Sequence, residues 1–423
     1  RDSPYPMKAA LLAIHSPMYS IPGGLAQLRT LLDPAKIPLY IACDIVIGES
    51  SMYADYIFPD LTYLERFGIT QGSHHTRVKA SAMRQPVITP LTEKVKVASE
   101  ELHLSLETLM MAVADRMGLS GFGKDAFGPG KQLTRPEDWY LKLHANIAWD
   151  GSPVPEASAE EMELFRKTHR HLQPSVFSEE RWRKAVRPED WPKLVYLLNR
   201  GGRFDASDAA YDGAFIKAKL GGVNRFYIEE VAAARHSMTG KLFAGGPASL
   251  SIVDSMGKPV KEDEGEFHLI TYKEIFGTQS RTIGNYWSQL AVAPENYVVM
   301  NTVDARKLGV RDGDMVRLTS RSNPGGVRDL GNGRVKPVEG KVRAIEGIRP
   351  GIVGISTHFG HWAFGSSDVE VDGIVVPGDK RRAGGIHAQP LFRLDDNLRG
   401  TPLSEPIGGS VSFYDTRVDI RKA

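Results

Sequence analysis

Apolar and polar positions alternate along the first sixty residues in short blocks of two periods. "MKAALLAIH" (7–15) and "IPLYIACDIVI" (37–47) are apolar runs of strand length. Between them, "GGLAQLRTLLD" (23–33) sets its leucines at helical spacing. "SSMYADY" (50–56) reads as a short helix, and "YIFPD" (56–60) as a third strand stopped by proline. Strand, helix, strand, helix, strand is the rhythm of a parallel sheet with crossover helices, which predicts part of an α/β domain over residues 1–66. Such sheets bind ligands where their strands end, and the small-residue turn from Gly48 to Ser51 leaves room for one.

The pattern then changes twice. Over 67–265 it predicts a mixed α/β domain with helices at 98–118, 136–148, 158–170 and 178–185, separated by connectors such as "GFGKDAFGPG" (121–130). "KLVYLLNRGGRFD" (193–205) reads as a strand entering a glycine turn. Its Arg200 and Arg203 fit a phosphate-facing pair and a solvated, salt-bridged pair equally well. From 266 to 423 short β-branched runs recur between turns: "FHLITYK", "YVVMN", "MVRLTS", "GKVRAI", "GIVGIST" and "RVDIRK". Many short strands at even spacing predict a closed β-barrel.

Composition narrows the function class. Hydrophobic content of 41% and charged content of 25% belong to an ordinary globular chain. A formal net charge of +2, with no basic run, gives no footprint for nucleic acid. No window of about 18 uninterrupted apolar residues is present to span a membrane. The single cysteine, Cys43, excludes an internal disulfide and a self-contained iron–sulfur cluster. Its place in an apolar run predicts a buried, inert thiol. The chain opens "RDSPYPMKAALL", without initiator methionine or signal-peptide architecture, and reads as the later part of something longer.

Two segments carry a family resemblance. "PENYVVMNTVDARKLGVRDGDMVRLTSR" (294–321), followed by "GKVRAIEGIRPGIVGIS" (340–356), resembles the molybdopterin-dinucleotide-binding domain of the dimethyl-sulfoxide-reductase family of molybdenum enzymes. Upstream, "GESSMYADYIFPDLTYLER" (48–66) resembles the signature that closes that family's nucleotide-binding domain. The resemblance implies a Rossmann-like parallel-sheet domain, a mixed α/β domain and a six-stranded double-psi barrel. It further implies a bis-molybdopterin guanine dinucleotide cofactor with molybdenum, gripped by sheet and barrel together.

Residue by residue, Glu49, Ser50 and Asp55 match the sheet signature, with Ser50 standing where threonine is usual. Asp44, at the end of a strand, is placed either to receive guanine N–H donors or to cap the next helix. "TYKEIFGTQSRTIGNYWS" (271–288) matches the first barrel strand and the loop that embraces a pterin. Lys273, Thr278, Gln279, Ser280, Arg281 and Thr282 there supply cations and polar donors. Gln389 occupies a position where the family has asparagine. His358 and His361 of "HFGHW" sit three apart in a Gly-rich loop with no third ligand at conventional spacing, which argues against a metal site; the resemblance implies a place for this loop near the substrate funnel. His74 and His75 read as surface residues.

Within the family, "HTRVKASAMRQPVITPL" (75–91), residues 181–205, "HFGHWAFGSSDVEVDG" (358–373) and "IGGSVSFYDTRVDI" (407–420) resemble the tetrathionate reductases. Respiratory arsenate and polysulfide reductases share several of these segments. The resemblance implies reduction of tetrathionate to thiosulfate in anaerobic respiration. A second cationic level for that extended dianion falls to Arg381 and Arg382. It also implies partners: the enzyme's own N-terminal half with its four-iron four-sulfur cluster, an iron–sulfur electron-transfer subunit, and a membrane-anchor subunit on the periplasmic side of the inner membrane. The rival readings are an arsenate or polysulfide reductase, a complex-I-type electron-transfer subunit that has lost molybdenum, and a bare double-psi module. Retention of the Thr278–Thr282 cluster argues against the second and the upstream sheet against the third.

Overall fold

A computed structural model describes residues 5–71, 78, 80–217, 225–249, 251–275, 285–331, 333–398, 400–405 and 407–423. The chain divides into two compact units, Arg1–Ile57 with Asn224–Ala423, and Phe58–Val223.

The first unit opens with β1 (Ala10–Ala13), α1 (Gly24–Leu31), β2 (Tyr40–Asp44) and β3 (Tyr56–Pro59). β1 and β2 pair in parallel, with Leu12 opposite Ala42, and the sheet order is β1-β2-β3. Cys43 on β2 is a fully buried thiol. The helix expected over 50–56 contracts to one 3-10 turn, Ser51–Tyr53. The reason lies in the sheet: the Asp55 N–H donates to the Tyr40 carbonyl and the Asp55 carboxylate accepts from the Tyr40 N–H, each at 2.8 Å. Those bonds pull the chain out of helical conformation at Ala54.

The second unit holds the larger corrections. Residues 98–118 do not form one helix. β4 (Gly68–Gln71) and β5 (Ala80–Arg84) are followed by a hairpin of β6 (Lys94–Val97) and β7 (Glu100–His103). The run "KVKV…EELHL" has a period of two, and it buries Val97 and Leu102. α2 (Leu106–Met117) starts only at Ser105, whose hydroxyl accepts from the Thr108 N–H at 3.2 Å. The other expected helices form within a residue or so: α3 (Pro136–Trp149), α4 (Ala159–His169) and α5 (Glu179–Lys184).

Residues 193–200 are a helix, not a strand. α6 (Trp191–Arg200) has proline in its first turn, buries Trp191, Leu194, Val195 and Leu198 at helical spacing, and ends at Gly201 in the left-handed region. β8 (Gly202–Phe204) follows and pairs with β5. Arg200 is salt-bridged to Glu161 at 2.5 Å, and Arg203 donates to the carbonyls of Ile147 and Ser152, so the turn's cations serve the protein itself. The core of this unit joins Leu141, Phe165, Trp182 and Leu194, each fully buried. Burying such side chains contributes about 1.5–3 kcal/mol apiece.

The six barrel strands lie where the β-branched runs place them: β9 (Phe267–Tyr272), β10 (Tyr297–Asn301), β11 (Met315–Thr319), β12 (Glu339–Ile345), β13 (Ile352–Ser356) and β14 (Arg417–Lys422). They close in the order β9-β13-β10-β12-β11-β14. β9 with β13 and β10 with β12 are parallel, and the remaining pairs are antiparallel. This mixed closed barrel has the double-psi arrangement. Alternate residues point inward, giving a core of Phe267, Leu269, Val298, Met300, Val316, Leu318, Val342, Val353, Ile355 and Val418. After β10, α7 (Thr302–Leu308) is capped by Asn301, and its buried Asp304 accepts from the Gly351 N–H at 2.7 Å.

Candidate functional site

The turn after β2 and the loop after β13 meet inside the first unit. Glu49, 1% exposed, places one carboxylate oxygen 2.7 Å from His361 Nδ1, and the same oxygen accepts the Trp362 and Ala363 N–H groups at 3.2 Å. His361 Nε2 lies 3.1 Å from the His358 carbonyl oxygen. Both ring nitrogens therefore face acceptors. Burial by itself would raise the Glu49 carboxyl, but His361 and the backbone donors outweigh it and hold the group at about 2. The imidazole is stacked between Tyr19, at 4.3 Å and 14°, and Phe364, at 5.0 Å and 19°.

This grip holds a loop in costly backbone geometry. His358 has φ 78° and Phe364 φ 59°, left-handed values that cost non-glycine residues about 1–3 kcal/mol each. Ser50, fully buried, lies 3.2 Å from the Ser16 hydroxyl and donates to the Met18 sulfur, also at 3.2 Å. Asp44 accepts from the Ile45 N–H at 2.9 Å and from the Ser51 hydroxyl at 3.4 Å, the local capping arrangement. Asp55 binds the backbone of β2. Asp44, Glu49, Ser50 and Asp55 thus make their bonds to the protein itself.

Behind the latch is a second buried group. The Tyr19 hydroxyl donates to the Phe359 carbonyl at 2.7 Å, and its ring also packs on His387 at 4.2 Å. His387 Nε2 donates to the Tyr19 carbonyl at 2.7 Å, while Nδ1 finds no partner among the described residues. Burial, then the neighbouring Arg328 cation, pushes this imidazole well below its usual range, so it is neutral at pH 7. Arg328 comes from the hairpin of Val327–Asp329 and Val335–Pro337 and is only 7% exposed. Its guanidinium lies 3.5 Å over the Trp362 ring, and Nη1 has no hydrogen-bond partner among the described residues. Burial pushes it down, to about 9, with Glu49 and Tyr19 acting in the opposite direction; it stays a cation at neutral pH. Arg328, Trp362, His387 and Gln389 all line one cavity of about 240 Å³.

The remaining expected residues divide. Gln389 is buried, at 7% exposure. Lys273 is exposed just beyond β9. Thr278, Gln279, Ser280, Arg281 and Thr282 lie outside the described residues, as do His74 and His75. The histidine and arginine loops are brought together: the Gly360 N–H donates to the Gly384 carbonyl at 2.9 Å, and the Asp379 N–H to the Gly365 carbonyl at 2.8 Å. Arg381 pairs with Asp379 at 2.5 Å near solvent, and Arg382 lies 5.8 Å over the Phe364 ring. No group of three or more His, Cys, Asp or Glu side chains able to hold a metal occurs among the described residues.

Nothing in their sequence context singles out Tyr19, Arg328, Trp362 or His387. Arg328 stands in "GGVRDLGNGRVKP", a polar, glycine-rich turn by composition. The one signal there is a two-residue period that places Arg328 opposite in facing to Val327.

Comparison with known proteins agrees with this architecture. Residues 267–386 match the sequence profile of the Molydopterin dinucleotide binding domain. The chain is 59% identical over 422 residues to a component of the selenate reductase of Mesobacillus selenatarsenatis, covering 99% of this chain and 40% of that protein. It is 29% identical over 398 residues to a component of the tetrathionate reductase of Salmonella typhimurium, covering 92% of this chain and 36% of that one. The chain therefore spans about 40% or less of the length of these relatives. Acetylene hydratase from Pelobacter acetylenicus shares the fold, with a TM-score of 0.52 at 14% identity over 100% of this chain and 45% of that one. The similarity does not narrow to the tetrathionate reductases, since identity to the selenate enzyme is 59% against 29%. A closed mixed barrel that matches the dinucleotide-binding domain, in a chain aligned almost end to end with such reductases, makes this chain part of a catalytic subunit of the molybdopterin oxidoreductases, the dimethyl-sulfoxide-reductase family.

Proposed function

We propose that the protein to which this chain contributes reduces selenate to selenite in anaerobic respiration, consuming two electrons and two protons and releasing water. The observation that carries this reading is 59% identity to the selenate reductase relative, sustained over 99% of the chain. Tetrathionate reduction is the second reading. It is favoured by the four resembling segments and by the 29% identity to the tetrathionate reductase relative.

The cofactor in this reading is bis-molybdopterin guanine dinucleotide with molybdenum, which supplies the electron-transfer chemistry when bound. Of the residues assigned to that group, Gln389 is a buried amide, able to donate to and accept from an acceptor-rich ligand. Lys273, Thr278, Gln279, Ser280, Arg281, Thr282 and Gln389 are assigned to hold the dinucleotides. Asp44, Glu49, Ser50 and Asp55 are assigned to positioning, because their own bonds hold the turn and the loop beside it. His358 is assigned to the approach to the substrate, while His361, committed to Glu49, is assigned to holding that loop. The proposed partners are the enzyme's own N-terminal half with a four-iron four-sulfur cluster, an iron–sulfur electron-transfer protein, and a membrane anchor on the periplasmic side. Among the described residues no helix is long and apolar enough to cross a membrane, so a separate anchor is part of the proposal.

The test is a side-by-side assay of the intact enzyme with selenate, tetrathionate, arsenate and polysulfide under one electron donor, with molybdenum and pterin content measured on the same preparation. Selenate is expected to give the highest kcat/KM by at least tenfold. A highest value for tetrathionate would transfer the claim to the second reading while leaving the cofactor assignment intact.

A further inference from the structure

The cavity beside Arg328 has the makings of a binding site. A guanidinium carries five N–H donors and is costly to bury without acceptors. Arg328 is 7% exposed, forms no salt bridge among the described residues, and spends its ring-facing side on Trp362. Two carboxylates around it are committed elsewhere: Glu49, whose charge acts on Arg328, is held by His361 and two backbone N–H groups. Asp329, which also lines the cavity, accepts from Arg29 at 3.4 Å and from the Gly331 N–H at 2.8 Å. His387 Nδ1, on the same cavity wall, is a second buried polar atom without a partner among the described residues; with the proton on Nε2 it is an acceptor, suited to a water beside the anion rather than to the anion itself. The facing wall is apolar: Met18, Ile21, Leu25 and Leu28.

Size limits the ligand. About 240 Å³ is room for roughly eight waters at ~30 Å³ each. That admits a compact polyatomic anion with residual water. It falls below the ~300–1,000 Å³ of drug-sized ligand sites, so a whole dinucleotide would extend beyond it. An unpaired cation in a small, largely apolar space calls for a compact anion able to accept from the guanidinium fork.

We propose that this cavity is a binding subsite for a free oxyanion of the selenate and sulfate class, held by the Arg328 guanidinium. The choice of anion rests on the oxyanion-reductase reading; the cation site itself rests on the geometry. Sulfate is the probe in solution and selenate in crystals, both applied to the intact enzyme. Selenate-soaked crystals should show a selenium anomalous peak within hydrogen-bond distance of the Arg328 guanidinium. In solution, Arg328→Met should weaken sulfate binding at least tenfold. Arg328→Lys, which retains a charge, should weaken it less, and molybdenum and pterin content should be unchanged in both variants. An occupied site in an enzyme that does not turn over selenate would uphold the subsite and remove the substrate reading. Absence of the peak in the wild-type enzyme would overturn the proposal. So would loss of pterin content in Arg328→Met, which would make the cavity's anion a phosphate of the cofactor. An Arg328→Met variant that fails to fold leaves the wild-type anomalous map and the Arg328→Lys titration to decide.

Discussion

The two units bury charge in opposite ways. In the second, the buried cation Arg135 is fully answered: it contacts Glu137 at 2.7 Å, Glu100 at 2.9 Å and the Ser175 carbonyl at 2.8 Å. Arg66 likewise reaches Asp60 and Glu107. In the first, Arg328 is as deeply buried as Arg135, at 7% each, yet has no carboxylate partner among the described residues. The histidines repeat the contrast. His144 in the second unit sits against Phe67 and Tyr140 within a packed core, and Gly68 gives it one carbonyl acceptor. His387 has the same one-acceptor arrangement but lines a cavity. A polar group closed into a packed core is structural. One left open beside a cavity points to a ligand.

Substitutions at the two arginines should separate these roles most strongly. Arg135→Met removes a partner from Glu137 and Glu100, and is expected to cost about 3–5 kcal/mol, the range for breaking a buried ion pair. Arg328→Met removes a cation that has no carboxylate partner among the described residues and should be neutral or stabilising in anion-free buffer. Hydrogen exchange on the intact enzyme, read separately over each unit, measures both. Equal losses at the two sites would erase the distinction. Glu49→Ala belongs with Arg135→Met, at about 3–5 kcal/mol, because it leaves His361 and two N–H groups without their acceptor.

Acid should act in two different windows, one set by buried histidines and one by Glu49. Glu49 is held at about 2 against an ordinary 4.5. A depressed carboxylate adds stability that is complete above about pH 4.5 and lost as pH falls through about 2, worth about 3 kcal/mol. His144 is held by burial at about 4 against an ordinary 6.5. The unfolded state binds its proton first, so stability falls as pH drops from about 6.5 through about 4, again by about 3 kcal/mol. Protection factors across pH 7 to 3 should therefore begin to fall in both units below about 6.5, through His144 in the second and His387 in the first, with the Glu49 loss following in the first alone. His144→Gln should flatten the earlier loss in the second unit alone, and an unchanged loss there would contradict the assignment.

The smallest expected effect is local. Ser105→Ala removes the cap of α2 and should cost about 1 kcal/mol, confined to protection of Leu106–Met117. A loss spreading to the hairpin β6–β7 would show that the cap serves more than its own helix.

The elements legible in the sequence share one property: their signal is local. The six barrel strands carry inward residues every second position, and turns bound them, so periodicity alone places them. Cys43 is legible for the same reason. The elements that differ show the limit of local signals. "KLVYLLNR" is a short apolar run in which strand and helix patterns coincide, and only packing of Leu194, Val195 and Leu198 into the core selects the helix. "KVKV…EELHL" merges by pattern into the helix that follows it, because Ser105 as a cap is visible only once the chain is seen to turn there.

For the candidate site, sequence alone determined which residue types were present and, through resemblance, which segments belong to a molybdopterin-binding framework. It pointed to Glu49, His361 and Gln389 without indicating what each would meet. Tertiary structure alone decided that Glu49 binds the loop of His361 across more than three hundred positions, and that Arg328 of a polar-looking hairpin is sealed against Trp362. The physical reason is that burial and pairing of a charge depend on what the fold brings to it. A side chain's neighbours along the chain set its backbone, while its neighbours in space set whether its charge is answered by protein or left for a ligand.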